Sequence, residues 1–170
     1  VNDGSQGIYI CNTADNSWEK LVDGNHYGVR FSPDGRKICY ELNGSLRVMN
    51  NDGRQEETLL QSGYSPSRGE VTWSTNGIFW MQNYEVRRCD PELGTDELVY
   101  DFKNFPEKDL EGDNWGSQGM WVSGDGRRGF AWFKFTDGTL PVFQFNEDFS
   151  DIDVRYSEVW GHGNTMTPDG

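Results

Sequence analysis

The chain has 170 residues, 28 of them acidic and 15 basic, for a net charge of −13, and its length suffices for one domain with a real core. Acidity of this order repels phosphate backbones and anionic lipid surfaces, so neither nucleic acid nor a membrane surface is an expected partner. No run approaches the roughly 20 apolar residues of a membrane helix, and no membrane insertion is expected.

Aromatic residues make up 14% of the chain and glycines number 21, a mixture that suits an all-β protein. The aromatics are spread along the whole length, which argues against a disordered segment.

In chain order, Val1 and Asn2 run into an Asp3-Gly4 turn, and strands are expected at 8–12 and 19–22. Four more fall near 28–32, 37–42, 45–50 and 56–60, and another four near 70–74, 78–82, 85–90 and 96–101. The last full set lies near 118–123, 129–135, 139–146 and 152–156, with a lone strand at 163–167. Asn43-Gly44 and Asp137-Gly138 have the composition of tight hairpin turns, which also explains the sequon-like Asn43-Gly44-Ser45. No window keeps a helical period. Phe105–Asp113, with Pro106 and a charged run, reads as an inserted loop with at most one helical turn.

A turn recurs through this series. Ser32-Pro33-Asp34-Gly35 is echoed by Ser74-Thr75-Asn76-Gly77, Ser123-Gly124-Asp125-Gly126 and Thr167-Pro168-Asp169-Gly170. A second register follows it, in which Ile8–Asn12, Leu46–Asn50, Val86–Asp90 and Val142–Asn146 each end in Asn or Asp. Sets of four antiparallel strands, repeated every ~40–50 residues, are the pattern of a β-propeller, in which each blade buries its faces on its neighbours. The expected division is 1–24 as the end of a blade, 25–62 and 63–103 as blades, 104–157 as a blade with an inserted loop at 104–117, and 158–170 as the start of another. Two strands, three full sets and a further start do not sum to a closed ring, so the chain is expected to be part of a longer propeller. The remainder of the ring, or another copy, is expected to complete it.

Phe31 to Leu59, with its Ser-Pro-Asp-Gly turn, short hairpin and Val48-Met49-Asn50-Asn51-Asp52-Gly53, resembles the repeat of TolB-like and WD40-like propellers, the PD40 type. The two later full blades lack the proline and the second motif. The resemblance implies an extracytoplasmic setting, periplasmic or secreted, in a bacterium. It also implies a spread of roles, since such repeats occur in periplasmic scaffolds, in propeller domains of serine peptidases and in carbohydrate-active proteins. Fold therefore does not name function.

Catalytic signals are weak. There is no Gly-x-Ser-x-Gly elbow, and no serine or cysteine carries a motif that pairs it with His26 or His162. Cys11 and Cys89 share a register with Met49 and Phe145, which reads as a packing slot, and no spacing of Cys or His matches a zinc site. Asp90–Glu97 and Glu147–Asp153 concentrate carboxylates without a calcium-loop pattern, so they read as solvated turn acids and no cofactor is expected, Ca²⁺ being the alternative.

The strongest candidate site lies in the links that precede the inner strands. They contribute His26, Tyr27, Tyr64, Arg68, Trp115, Gln118, Trp160 and His162, aromatic faces beside polar donors. Gathered at the channel mouth, these would bind a glycan or a peptide; the competing reading is that they fill gaps between blades. The expectation is a non-catalytic binding or scaffold module with a protein or glycan ligand. The alternatives are the propeller portion of an enzyme, with catalytic residues partly outside this chain, and a structural surface or filament component.

Overall fold

A computed structural model describes residues 6–24, 26–61, 71–104, 117–133 and 140–157. Alternating apolar and polar residues, punctuated by Gly, Asn and Asp, form fourteen strands among these residues. The first sheet pairs β1 (Gly7–Asn12) with β2 (Ser17–Asp23). The second is a meander of β3 (Tyr27–Phe31), β4 (Lys37–Leu42), β5 (Ser45–Asn50) and β6 (Glu57–Leu60). The third meander is β7 (Val71–Ser74), β8 (Gly77–Gln82), β9 (Glu85–Cys89) and β10 (Asp96–Asp101). The fourth is β11 (Ser117–Val122), β12 (Arg128–Phe133), β13 (Leu140–Asn146) and β14 (Ile152–Ser157). Each expected strand lies within two residues of its observed counterpart, apart from 163–167, which is outside the described residues along with Asp137-Gly138.

Each sheet packs its face on the next, in the manner of propeller blades. Ile8 of the first blade meets Ile38, Tyr40 and Met49 of the second. The opposite face of the second blade, through Cys39, Leu46 and Val48, meets Val71, Trp73, Ile78, Trp80 and Cys89 of the third. Period-two alternation produces this division: Ile38 and Tyr40 point one way from β4, Cys39 the other. The third and fourth blades share the most aromatic interface, where Phe102 is fully buried, with ring centroids 4.9 Å from Tyr100 and from Phe143 and 5.0 Å from Phe133. Phe102 begins a single 3-10 turn, Phe102–Asn104, just ahead of the expected insertion, whose residues 105–116 lie outside the described set.

The innermost strands β3, β7 and β11 lie side by side, with β7 in contact with both others. Two of the recurring turns connect these strands to their neighbours with one hydrogen-bond scheme. In the second blade Ser32 Oγ donates to Asp34 Oδ1 at 2.7 Å and accepts from the Lys37 N–H at 2.9 Å, while Gly35 N donates to Ser32 O at 2.8 Å. In the fourth, Ser123 Oγ donates to Asp125 Oδ1 at 2.6 Å and accepts from Arg128 N at 3.1 Å, and Gly126 N donates to Ser123 O at 2.8 Å. The third blade differs. Ser74 pairs directly with Gly77 in the ladder, so β8 starts at the closing glycine, whereas β4 starts two residues after Gly35.

The three cysteines are free. Cys89 shares full or near-full burial with Met49 and Phe145, as the packing-slot reading expects, but Cys11 is only half-buried. Among the described residues the first blade has two strands where the others have four, so less sheet covers that position.

Candidate functional site

A concavity of about 470 Å³ lies among the inner strands and opens at their C-terminal ends. Arg30 and Phe31 from β3, Thr72 and Trp73 from β7, and Trp121 and Val122 from β11 form its walls. Pro33, Thr75, Gly124 and Asp125, from the three recurring turns, form its rim. Two residues before the turn serine stand Arg30, Thr72 and Trp121; one residue before it stand Phe31, Trp73 and Val122. The same two register positions therefore line the cavity in three successive blades.

The rim is locked. Thr75 N donates to Gly124 O at 2.9 Å, and Thr75 Oγ1 donates to Asp125 O at 2.9 Å, tying the turn of the third blade to that of the fourth. Gly126 has φ +74°, and a Cβ there would lie 2.6 Å from Asn76 Nδ2, so glycine is required both by backbone and by space. The serine hydroxyls, followed by backbone N–H groups, hold the carboxyls of Asp34 and Asp125 below their usual value.

Across the cavity the Arg30 guanidinium lies 5.3 Å from the ring centre of Trp121, a cation–π contact that bridges the second blade to the fourth. Arg30 Nη1 donates to the Val29 carbonyl at 2.8 Å. Among the described residues its buried Nε has no partner, and neither has the Thr72 hydroxyl oxygen. Trp73 is 8% exposed and braces the floor from within the second interface; Phe31 is 53% exposed at the lip.

Of the sequence-derived candidates, His26, Tyr27 and Gln118 lie at the opposite end of the same strands. Tyr27 is the first residue of β3 and is 57% exposed. His26, one residue earlier, has Nε2 2.8 Å from the Asp23 carbonyl oxygen, and its ring stands edge-on to Tyr40 at 5.1 Å. Gln118 is the second residue of β11, with its side chain outside the described set, as are Tyr64, Arg68, Trp115, Trp160 and His162 in full. Near His26, Tyr40 donates a short hydrogen bond to Glu56, which also accepts from Arg47 Nη1 at 2.6 Å. The Tyr40 hydroxyl and then the arginine lower the Glu56 carboxyl, while burial, reinforced by Glu56, raises the tyrosine.

The remaining chemistry is structural. Burial pushes the thiols of Cys39 and Cys89 up to about 12, which leaves them protonated and poor nucleophiles at neutral pH. Four of the acids considered for calcium are engaged in their turns and strands. Asp90 Oδ1 accepts from Glu92 N and Leu93 N, Asp96 pairs with Arg87, Glu97 with Arg88, and Asp148 accepts from Ser150 N. Among the described residues no three His, Cys, Asp or Glu side chains gather as a metal cluster. A second concavity of about 380 Å³ beside Arg128, Gln144 and Asp151 lies on the fourth blade, away from the inner strands.

Sequence reasoning read the turns as punctuation and missed their position around a cavity. The available signal was the register: a cation or a large aromatic at one of two fixed positions before the turn serine.

Comparison with known proteins carries the fold. Over 91% of this chain, the structure matches 57% of a protein assigned as TolB from Agrobacterium tumefaciens, at 16% identity and a TM-score of 0.63. It matches 45% of a chain in the mitotic checkpoint complex over 89% of its own length, at 14% identity and a TM-score of 0.62. A protein assigned as a 6-phosphogluconolactonase from Bacteroides uniformis gives 16% identity and a TM-score of 0.54, covering 98% of this chain and 56% of that one. The chain thus spans about half the length of the solved structures it matches. No protein-family model matches the sequence, and no curated protein matches it either. Four-stranded blades of TolB-like and WD40-like propeller type are therefore established, and the fold is one shared by scaffolds and enzymes alike.

Proposed function

We propose that this chain is a binding module within a β-propeller, and that it holds a glycan or peptide ligand without transforming it. The observation that carries this reading is the axial cavity at the turn end, where a guanidinium stacked on Trp121 stands beside Trp73 and Phe31. Small-molecule sites are mostly apolar concavities of roughly 300–1,000 Å³ with a few polar groups, and this one has that form. Its rigid rim keeps the aromatic faces in place before a ligand arrives, which lowers the entropic cost of binding.

The absence of a poised nucleophile among the described residues supports a non-catalytic role. Both buried thiols are held protonated, and the Nε2 of His26 is engaged with a backbone carbonyl. On this reading the setting is extracytoplasmic, and the rest of the ring comes from further chain or a second copy.

Exposed Tyr27 favours a second reading, in which the ligand sits at the link end among His26, Tyr27, Tyr64, Arg68, Trp115, Gln118, Trp160 and His162. Screening the full chain on glycan and peptide arrays, beside Trp121→Ala, separates the readings. The turn-end reading expects ligands of one class that are lost in Trp121→Ala at unchanged melting temperature. Mass spectrometry of the captured ligand addresses catalysis: conversion to a product would contradict a purely binding role.

A further inference from the structure

We infer that the turn-end cavity selects an acidic sugar, placing the ring against Trp121 and Trp73 and the sugar carboxylate on Arg30. This inference rests on the binding-module reading and names the ligand class of that same cavity.

Arg30 is the anomaly that points to it. The chain carries 28 acids against 15 basic residues, so arginines have carboxylates in abundance. The half-buried arginines Arg47, Arg87 and Arg88 each pair with one: Arg47 with Glu56, Arg87 with Glu85 and Asp96, Arg88 with Glu97. Half-buried Arg30 has none within 4.0 Å among the described residues; its one hydrogen bond there goes to its neighbour's carbonyl. A guanidinium removed from water without a counter-ion is unfavourable, and its planar fork matches a carboxylate. An incoming carboxylate would supply what the fold leaves out.

The walls narrow the class further. Asp125 stands on the rim with its carboxyl turned toward the Ser123 hydroxyl and the Arg127 N–H. Its spare acceptor capacity suits a ligand hydroxyl. Thr72 lines the wall, and its buried hydroxyl has no hydrogen-bond partner among the described residues. One anionic group, several hydroxyls and a flat apolar face, all on one small body, describe a uronic acid ring. A peptide ending in an aromatic residue shares the carboxylate and the flat face but lacks the hydroxyls.

Calorimetric titration of the full chain tests this with three probes: β-1,4-linked triglucuronate, cellotriose as its neutral counterpart, and a tripeptide ending in phenylalanine. Triglucuronate is expected to bind at least about tenfold more tightly than the other two, the scale of one charge-assisted contact. Arg30→Met is expected to abolish the preference for triglucuronate over cellotriose, and Arg30→Lys to keep part of it. If Arg30→Met does not fold, the methyl ester of triglucuronate on the unaltered protein is the substitute, and it should bind no more tightly than cellotriose. Equal affinity for triglucuronate and cellotriose, or a preference for the tripeptide, would overturn the acidic-sugar inference and leave the binding module standing. Binding that survives Trp121→Ala unchanged would overturn the cavity assignment itself, and the inference with it.

Discussion

The two ends of the inner strands are built differently. At the link end Tyr27 projects into solvent and His26 is held by a carbonyl and by the edge of Tyr40. At the turn end the blades are tied to one another, the rim repeats one hydrogen-bond scheme in the second and fourth blades, and large side chains converge from three strands. At the start of β3 the described contacts are local, whereas at the turn end three blades share one rim. A ligand-binding site needs convergence, and that is why the proposed site is placed at the turn end.

The largest effect expected from breaking this contrast is at Trp73. It is 8% exposed and serves both the second interface and the cavity floor. Trp73→Ala should cost about 3–5 kcal/mol of stability in urea unfolding, the usual range for a truncated buried aromatic. Tyr27→Ala, at the other end of the neighbouring inner strand, should stay within about 0.5 kcal/mol. A Tyr27 variant as unstable as the Trp73 variant would erase the distinction.

Next come the ties of the rim. Gly126→Ala forces a methyl group toward Asn76 Nδ2 in a left-handed backbone and should cost about 1–3 kcal/mol. Ser123→Ala removes a hydroxyl that serves both Asp125 and the Arg128 N–H, with an expected loss of about 1–2 kcal/mol. Both are read from denaturant midpoints, with ligand affinity falling in parallel if the rim shapes the cavity.

The smallest effect is in pH. The carboxyls of Asp34 and Asp125 are held below the usual carboxylate value, first by the serine hydroxyls and then by backbone N–H groups. A depressed carboxyl stabilises the fold fully above its unfolded value and loses that contribution as pH falls through the folded value. Stability should therefore decline modestly below about pH 4, and the Ser32→Ala, Ser123→Ala double variant should show a shallower decline. An unchanged slope would mean that the turn carboxyls contribute nothing to acid sensitivity.

Much of the fold was legible because its signals are local. Asn43-Gly44 sets the β4–β5 hairpin, Ser32 and Asp34 set their own turn, and alternation in Ile38–Tyr40 assigns faces between blades. The cavity was not legible in the same way. Arg30 and Trp121 meet only because β7 sits between their strands, a placement that no short window contains. The aromatic links drew attention because they cluster in sequence, whereas the cavity residues cluster only in register. The shorter third turn also hid the pattern, since Ser74 and Gly77 pair in the ladder and leave no room for the longer scheme of the other two.

The most direct test compares the two ends with one ligand. Titrating triglucuronate against Trp121→Ala and Tyr27→Ala, each first matched to the unaltered chain in melting temperature, isolates binding from folding. The account predicts loss of at least about tenfold in affinity for Trp121→Ala, the scale of a removed binding aromatic, with Tyr27→Ala unaffected. Full affinity in Trp121→Ala together with loss in Tyr27→Ala would contradict it and move the site to the link end.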